Sequence, residues 1–264
     1  MALALQSFAT VKDASAALKA AGTRYLGGGT LVVRAANEGD VSISGFVRST
    51  EPALSVIHIS GGEVRIGASV TMAAIARHPD LAPLAHAARA VGGPAIRNMA
   101  TVGGNLFAPA PYGDFTVALL ALDATVSTGD GELPIETFLT KRESNDAIVT
   151  AVGFTLPKEG GFRFLKVSRV KPKGVSVLSI ATVLDHAPDG TVSSARIAFG
   201  CMADRPIRAR AAEKALIGRE LTSEGIAPAL AVARDGTSPR TDPIASAWYR
   251  NEVLPVHLGR LLLA

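Results

Sequence analysis

The sequence predicts an α+β fold in two parts, and three observations carry that prediction. Helix-like and strand-like patterns alternate irregularly up to about residue 157, three strand-like segments follow one another after residue 161, and Lys158-Glu159-Gly160-Gly161 between them is polar and glycine-rich behind Pro157. The expected parts are residues 1–160 and 161–264.

The elements follow in order. Val11 to Ala20 carries Ala14, Ala17 and Leu18, with Ala21 next, at helical spacing, and Gly22 stands where a C-cap belongs. Arg24-Tyr25-Leu26 reads as a short strand that runs into three glycines, and a second helix opens at Thr30 with Leu31, Val32 and Ala35. Val64 to Ala68 has strand composition, Thr71 to Ala76 reads as a short helix, and Leu81 to Val91 as a longer, alanine-rich one. From Thr125 to Phe154 the pattern is of short strands with turns at Asp130-Gly131 and Leu133-Pro134. Beyond the linker, Phe162 to Val170, Ser176 to Leu184 and Val192 to Phe199 read as strands. Ile207 to Leu216, Glu224 to Ala233 and Trp248 to Leu262 read as helices.

Composition excludes several kinds of function. With 48% hydrophobic and 19% charged residues the chain is globular. The single cysteine, Cys201, cannot make an intrachain disulfide or supply the thiolates of an iron–sulfur cluster or structural zinc site. The five histidines, His58, His78, His86, His186 and His257, form no metal-spaced pair. A net charge of +4, with basic residues scattered, gives little support to nucleic-acid binding. Met1 to Ala9 lacks a charged leader followed by an apolar stretch, and the most apolar run, Val117 to Val126, is interrupted by Asp123. That run is far below the roughly 20 residues of a membrane span, so a cytoplasmic protein is the expectation.

Two glycine segments carry the functional signal. Tyr25-Leu26-Gly27-Gly28-Gly29-Thr30-Leu31-Val32 lacks the lysine of a P-loop and the spaced glycines of a dinucleotide fold. Consecutive glycines can still present bare main-chain N–H groups to a diphosphate, next to a helix start. By itself the triplet fits a tight turn equally well. The second segment is Ala100-Thr101-Val102-Gly103-Gly104-Asn105, with Asp114 nine residues after the asparagine. Its glycine pair is expected to expose amides, Thr101 and Asn105 bring neutral hydrogen-bonding groups, and Asp114 brings a carboxylate acceptor suited to sugar hydroxyls. Asp114 also reads as the N-cap of a helix from Phe115 to Leu122, and capping does not exclude ligand contact.

Three blocks together resemble a known family: Leu26-Gly27-Gly28-Gly29-Thr30, then Gly93-Pro94-Ala95-Ile96-Arg97-Asn98-Met99-Ala100-Thr101-Val102-Gly103-Gly104-Asn105, and Pro111-Tyr112-Gly113-Asp114. They are similar to the medium, FAD-binding subunits of molybdenum hydroxylases, such as the carbon monoxide dehydrogenase flavoprotein and the flavin domain of xanthine dehydrogenase. The likeness continues through Leu119 to Ala124, Phe164 to Leu184 and Ser246 to Arg250. It implies a two-part FAD-binding domain of the vanillyl-alcohol oxidase (PCMH) type followed by a small C-terminal α+β domain.

The resemblance also implies roles. Tyr25, Leu26, Gly27, Gly28, Gly29, Thr30, Leu31 and Val32 would wrap the FAD diphosphate. Thr101, Val102, Gly103, Gly104 and Asn105 would hold the diphosphate and ribityl region, and Asp114 hydroxyls of the sugar-alcohol portion. Val91 and Val177 fall where family residues pack near the cofactor, although both also read as ordinary core valines. FAD would be bound non-covalently, since no histidine lies in these motifs. The molybdenum cofactor and 2Fe-2S clusters would sit on a large and a small partner subunit, in a heterotrimer or a dimer of heterotrimers. No catalytic residue and no metal ligand are assigned to this chain.

Two departures stand out. Leu31 replaces an acidic or amide residue of many relatives, and Val170-Lys171-Pro172-Lys173-Gly174 replaces a segment with paired arginines and an aspartate. Lys171 and Lys173 fit either a docking point for an acidic partner or a solvated turn. Two other functions use the same glycine loops: a free-standing flavin oxidase or reductase, and a non-catalytic nucleotide-binding assembly module.

Overall fold

The computed structural model describes residues 3–142, 147–170 and 174–264; Lys171, Pro172 and Lys173 lie outside them. The first unit is a parallel sheet of β1 (Ala4–Phe8), β2 (Thr23–Tyr25) and β3 (Gly45–Ser49), in the order β1-β3-β2. Its crossovers are helices α1 (Val11–Leu18) and α2 (Val32–Asn37). Thr10 caps α1 by accepting from the Asp13 amide, which turns Val11 and Ala14 onto Val47, Leu54 and Ile148 in a small core.

The second unit is an antiparallel sheet in the order β4-β5-β8-β6-β7, built from β4 (Ile57–Ser60), β5 (Glu63–Gly67), β6 (Thr125–Thr128), β7 (Gly131–Pro134) and β8 (Val149–Thr155). In β5, Val64 and Ile66 point inward and Arg65 outward, the alternation of a half-buried strand. Helices α3 (Met72–Arg77), α4 (Ala85–Ala90), α5 (Pro94–Met99), α6 (Val102–Leu106), α7 (Asp114–Ala121) and α8 (Ile135–Lys141) accompany this sheet.

The third unit is an antiparallel sheet in the order β12-β11-β10-β9, from β9 (Phe162–Ser168), β10 (Ser176–His186), β11 (Val192–Gly200) and β12 (Ile207–Arg208). On one face Leu178, Ile180 and Leu184 of β10 join the core of α9 (Arg210–Leu216), α10 (Ala227–Ala231) and α11 (Ala247–Leu262). On the other, Ala181 and Val183 join Phe115, Leu119 and Ile66 in the core of the second unit. Helix α7 is therefore enclosed between two sheets with all eight residues buried, which accounts for its apolar run. No helix among the described residues is long and apolar enough to cross a membrane.

The architecture is the expected α+β class, with differences in detail. The helix expected over Leu81 to Val91 is divided: residues 79–84 form a 3₁₀ segment with Pro83 inside it and Leu81 off helical geometry, and α4 starts at Ala85. Proline has no N–H to continue the ladder. The turn expected at Leu133-Pro134 is instead the end of β7, where Leu133 pairs with Val126 and Pro134 with Thr125 before α8. The helix expected from Ile207 begins at Arg210, because Ile207 and Arg208 pair with β11.

Candidate cofactor-binding site

The Leu26 amide donates to the Val47 carbonyl (2.7 Å), and the chain then leaves the sheet through the glycine triplet. A Cβ on Gly28 would overlap the Met99 carbonyl, and one on Gly27 would lie 2.9 Å from Thr101 Oγ1. Gly29 has φ +72° and its carbonyl accepts from Val33, opening α2. The two glycine segments thus lie on one another, and Gly28 is glycine because another backbone occupies the space of a side chain. Among the described residues the amides of Gly28, Gly29, Thr30 and Leu31 meet no acceptor. Leu31 sits at the N-cap of α2 without a side-chain cap bond.

The second segment is tightly tied. Val102 N donates to Val70 O, Gly103 N to Ala68 O (2.8 Å), and Gly104 N to Thr101 Oγ1 (3.1 Å). The glycine pair therefore does not offer the free amides expected of it; its N–H groups hold α6 in place. Gly103 is glycine for packing, since a Cβ would sit 3.0 Å from that of Ala68, whereas Gly104 is exposed. Asn105 is buried, and its Oδ1 accepts from both the Thr116 amide (2.8 Å) and hydroxyl (2.9 Å). It pins α6 to α7.

Asp114 is the first residue of α7; Gly113, in a left-handed conformation, takes the N-cap position expected for it. With capping thus excluded, the buried carboxylate accepts from Ser176 Oγ at Oδ1 (2.6 Å) and from Lys166 Nζ at Oδ2 (2.8 Å). Lys166 also donates to the Ala90 carbonyl (2.8 Å). Val91 and Val177 are the chain neighbours of Ala90 and Ser176, so both flank this network. Val91 is half-buried; Val177 is fully buried, with its carbonyl accepting from Arg250 Nε (2.8 Å). Tyr25 packs on the small core of the first sheet, and burial pushes its phenol up.

One line of contacts therefore runs from Gly27 through Thr101, Gly104, Asn105 and Thr116 to the turn before Asp114. Exposed Ile96, Met99, Phe107 and Tyr112 lie on or beside these segments, with Arg34 of α2 donating to the Tyr112 hydroxyl (3.3 Å). Bare amides, side-chain-free backbone and exposed apolar groups suit a ligand that combines a diphosphate with flat rings. Among the described residues no group of three or more His, Cys, Asp or Glu is placed to hold a metal.

Residues 2–158 match the family described as the FAD binding domain in molybdopterin dehydrogenase, and residues 163–264 match the CO dehydrogenase flavoprotein C-terminal domain. This chain belongs to the molybdopterin dehydrogenase flavoprotein family. As a member it is an FAD-binding oxidoreductase subunit, and the residues above fit that cofactor. It is 30% identical over 217 residues to the nicotinate dehydrogenase FAD-subunit of Eubacterium barkeri, covering 75% of this chain and 73% of that one. It is 27% identical over 179 residues to the glyceraldehyde dehydrogenase medium chain of Sulfolobus acidocaldarius, covering 65% and 63%. In fold, the flavoprotein matches carbon monoxide dehydrogenase from Hydrogenophaga pseudoflava with TM-score 0.90 at 23% identity, over 99% of this chain and 96% of that one.

The sequence reading missed Lys166, Ser176 and Arg97. Lys166 was marked by strand alternation: it shares a face with Phe162 and Phe164, which pack on the main core. Arg97 donates to the carbonyls of Arg89 (3.0 Å) and Gly92 (2.6 Å), closing the turn between α4 and α5. Its position inside the recognised block gave no hint of that role.

Proposed function

We propose that this flavoprotein is the electron-exit subunit of a molybdenum hydroxylase: it takes electrons from 2Fe-2S clusters on a small subunit, supplied by a large molybdenum subunit, and passes them to an external acceptor. The observation that carries the reading is the contact of Gly27 and Gly28 with residues 99–104 beside a row of unpaired amides. When bound, FAD supplies the redox chemistry itself. The chain's part is to bind and orient. The amides of Gly28 to Leu31 hold the diphosphate, Tyr25 to Val32 and Thr101 to Asn105 form the cradle by their backbones, and Asp114 holds hydroxyls of the sugar-alcohol portion beside Val91 and Val177.

The same reading divides the chain near residue 160, with the FAD-binding part before it and the C-terminal domain after, and places the complex in the cytoplasm as a heterotrimer or its dimer. No side chain need act as acid or base. The test is purification from the native host, with the visible spectrum and co-purifying chains recorded. A yellow protein accompanied by iron–sulfur and molybdenum subunits is expected. A colourless chain that takes up no added FAD overturns the cofactor assignment, and a yellow chain that turns over a small substrate alone overturns the subunit assignment.

A further inference from the structure

We propose that a polar cavity at the C-terminal end of α7, the opposite end from Asp114, binds a small amino compound that carries charges of both signs, of the class of the basic amino acids.

Helix α7 fills the seam between the two antiparallel sheets. Asp114 stands at its start, and beyond its last turn lies a cavity of about 330 Å³ lined in part by Glu63, Asp123, Thr155 and Arg196. Arg196 of β11 donates through Nε to the Ala121 carbonyl (3.1 Å), which holds the guanidinium at the helix end. Among the described residues its two Nη groups have no protein partner. Glu63 of β5 is held by the Thr155 hydroxyl, which donates to its Oε1 (2.7 Å). Asp123 lies 3.6 Å from Arg208, which is already paired with Glu213 at 2.6 Å. No ion pair among the described residues joins Arg196 to Glu63 or Asp123, so one cation and two anions line a single cavity without neutralising one another.

Asp123 holds its place against two preferences. The amides of Asp123 and Ala124 donate to the carbonyls of Leu120 (3.2 Å) and Leu119 (3.1 Å), the closing bonds of a left-handed helix cap, and Asp123 has φ +56°. Glycine adopts that conformation without steric cost, and an anion there meets the negative end of the helix dipole. With 63% of its side chain exposed, this carboxylate is open to a cation from solution. Together with Glu63 it supplies acceptors for ammonium groups, while Arg196 offers a fork of donors to a carboxylate. Two negative charges and one positive are the complement of lysine, which carries two ammonium groups and one carboxylate at neutral pH.

The experiment uses the full chain in its purified complex and titrates it calorimetrically with L-lysine, pentylamine and L-glutamate. Lysine is expected to bind with Kd below about 1 mM, pentylamine at least about tenfold more weakly, and glutamate not measurably. R196Q should bring lysine to the affinity of pentylamine and leave pentylamine itself unchanged. D123N removes the charge and suits the left-handed backbone better, so it should weaken lysine binding at least about tenfold while melting no lower than the parent. No detectable lysine binding, or lysine bound no tighter than pentylamine, overturns the proposal, as does an R196Q protein with full lysine affinity. A D123N protein that melts lower yet still binds lysine makes Asp123 a structural partner of Arg208 alone and overturns it as well. Should R196Q not fold, E63Q on the exposed strand is expected to weaken lysine binding severalfold, and no change there overturns the proposal.

Discussion

Around Gly28 the chain is packed backbone against backbone, with the glycine's missing side chain making room for the Met99 carbonyl. Around Arg250 the same protein does the reverse, filling the space with one long charged side chain. That guanidinium, 1% exposed, donates to the carbonyls of Val177, Ala245 and Arg240 and pairs with Asp242 through both carboxylate oxygens at 2.9 Å. Glu213 acts similarly, accepting from Arg208 Nε (2.6 Å) and the Ile197 amide (2.8 Å). The first region leaves amides unpaired and the second satisfies carbonyls with buried charge. A binding surface must keep donors free for its ligand, while a scaffold must not.

The largest expected effect is that of Gly28→Val. Its side chain has to displace residues 99–100, separating the two segments. FAD affinity is expected to fall by more than about a hundredfold, read as flavin retained after gel filtration and by titration of the stripped protein. The C-terminal unit has a core of its own between β10, β11 and α9 to α11, so its unfolding transition should persist. Full flavin retention in a folded G28V protein would remove the basis of the comparison.

Arg250→Met should show the opposite signature. Four carbonyl and carboxylate partners lose their donor at once, with an expected loss of about 3–5 kcal/mol in denaturant unfolding. Flavin content per folded molecule should change far less than in G28V. The Asp242 carboxyl adds a pH dependence. Burial raises it, but the amides of Ala245 and Ile244 and the Arg250 charge outweigh that and hold it below the usual carboxylate range. Its contribution is therefore present above the ordinary carboxylate pKa and lost as pH falls through its lowered value. The difference in stability between the parent and R250M should narrow on acidification.

The two regions also differ in how legible they were. The glycine segments were recognised from residue order, since glycines and Asp114 at fixed spacing identify the family without reference to contacts. Their meeting was not legible: Gly27 and Thr101 are remote in sequence, and nothing local distinguishes Gly103, which packs on Ala68, from Gly104, which faces outward. Strands of the C-terminal sheet were legible from composition, because β10 is buried on both faces and is made mostly of aliphatic and small residues, with only Ser176, Ser179 and Thr182 polar before Asp185. Helix α8 was not, because Pro134 was assigned to a turn while it ends a strand and opens a helix at once.

Gly104→Ala tests the division of labour between the two glycines, with a smaller effect. A Cβ there meets only Thr101 Oγ1, at 3.1 Å, and Gly104 does not have positive φ. The stripped protein should therefore melt close to the parent, helped by up to about 1 kcal/mol of helix propensity. The added methyl stands on the exposed surface of the cradle, so FAD binding should weaken by about tenfold. Gly103→Ala, crowded by Ala68, should instead lower the melting temperature. Equal behaviour of the two variants would mean that only packing, and not ligand approach, requires the pair.

The smallest effect is expected at the seam itself, where Cys201 can be used as a reporter. Its thiol lies 3.6 Å from the Ser176 carbonyl, while the Ser176 hydroxyl serves Asp114, so the cysteine and the Asp114 network share one residue of β10. Burial, assisted by the Asp114 charge, pushes the thiol up to about 12. At pH 8 it should react with a thiol reagent only when the seam opens, and labelling should run at the rate of local or global unfolding. A raised thiol stabilises the folded form fully below the ordinary value, near 9, and that contribution disappears as pH climbs toward 12. Since Lys166 closes the same seam, K166M should speed labelling at pH 8 while G28V should not. Equal rates in all three proteins would show that Lys166 does not hold the seam closed, whereas a G28V protein as fast as K166M would show that the two regions are not mechanically separate.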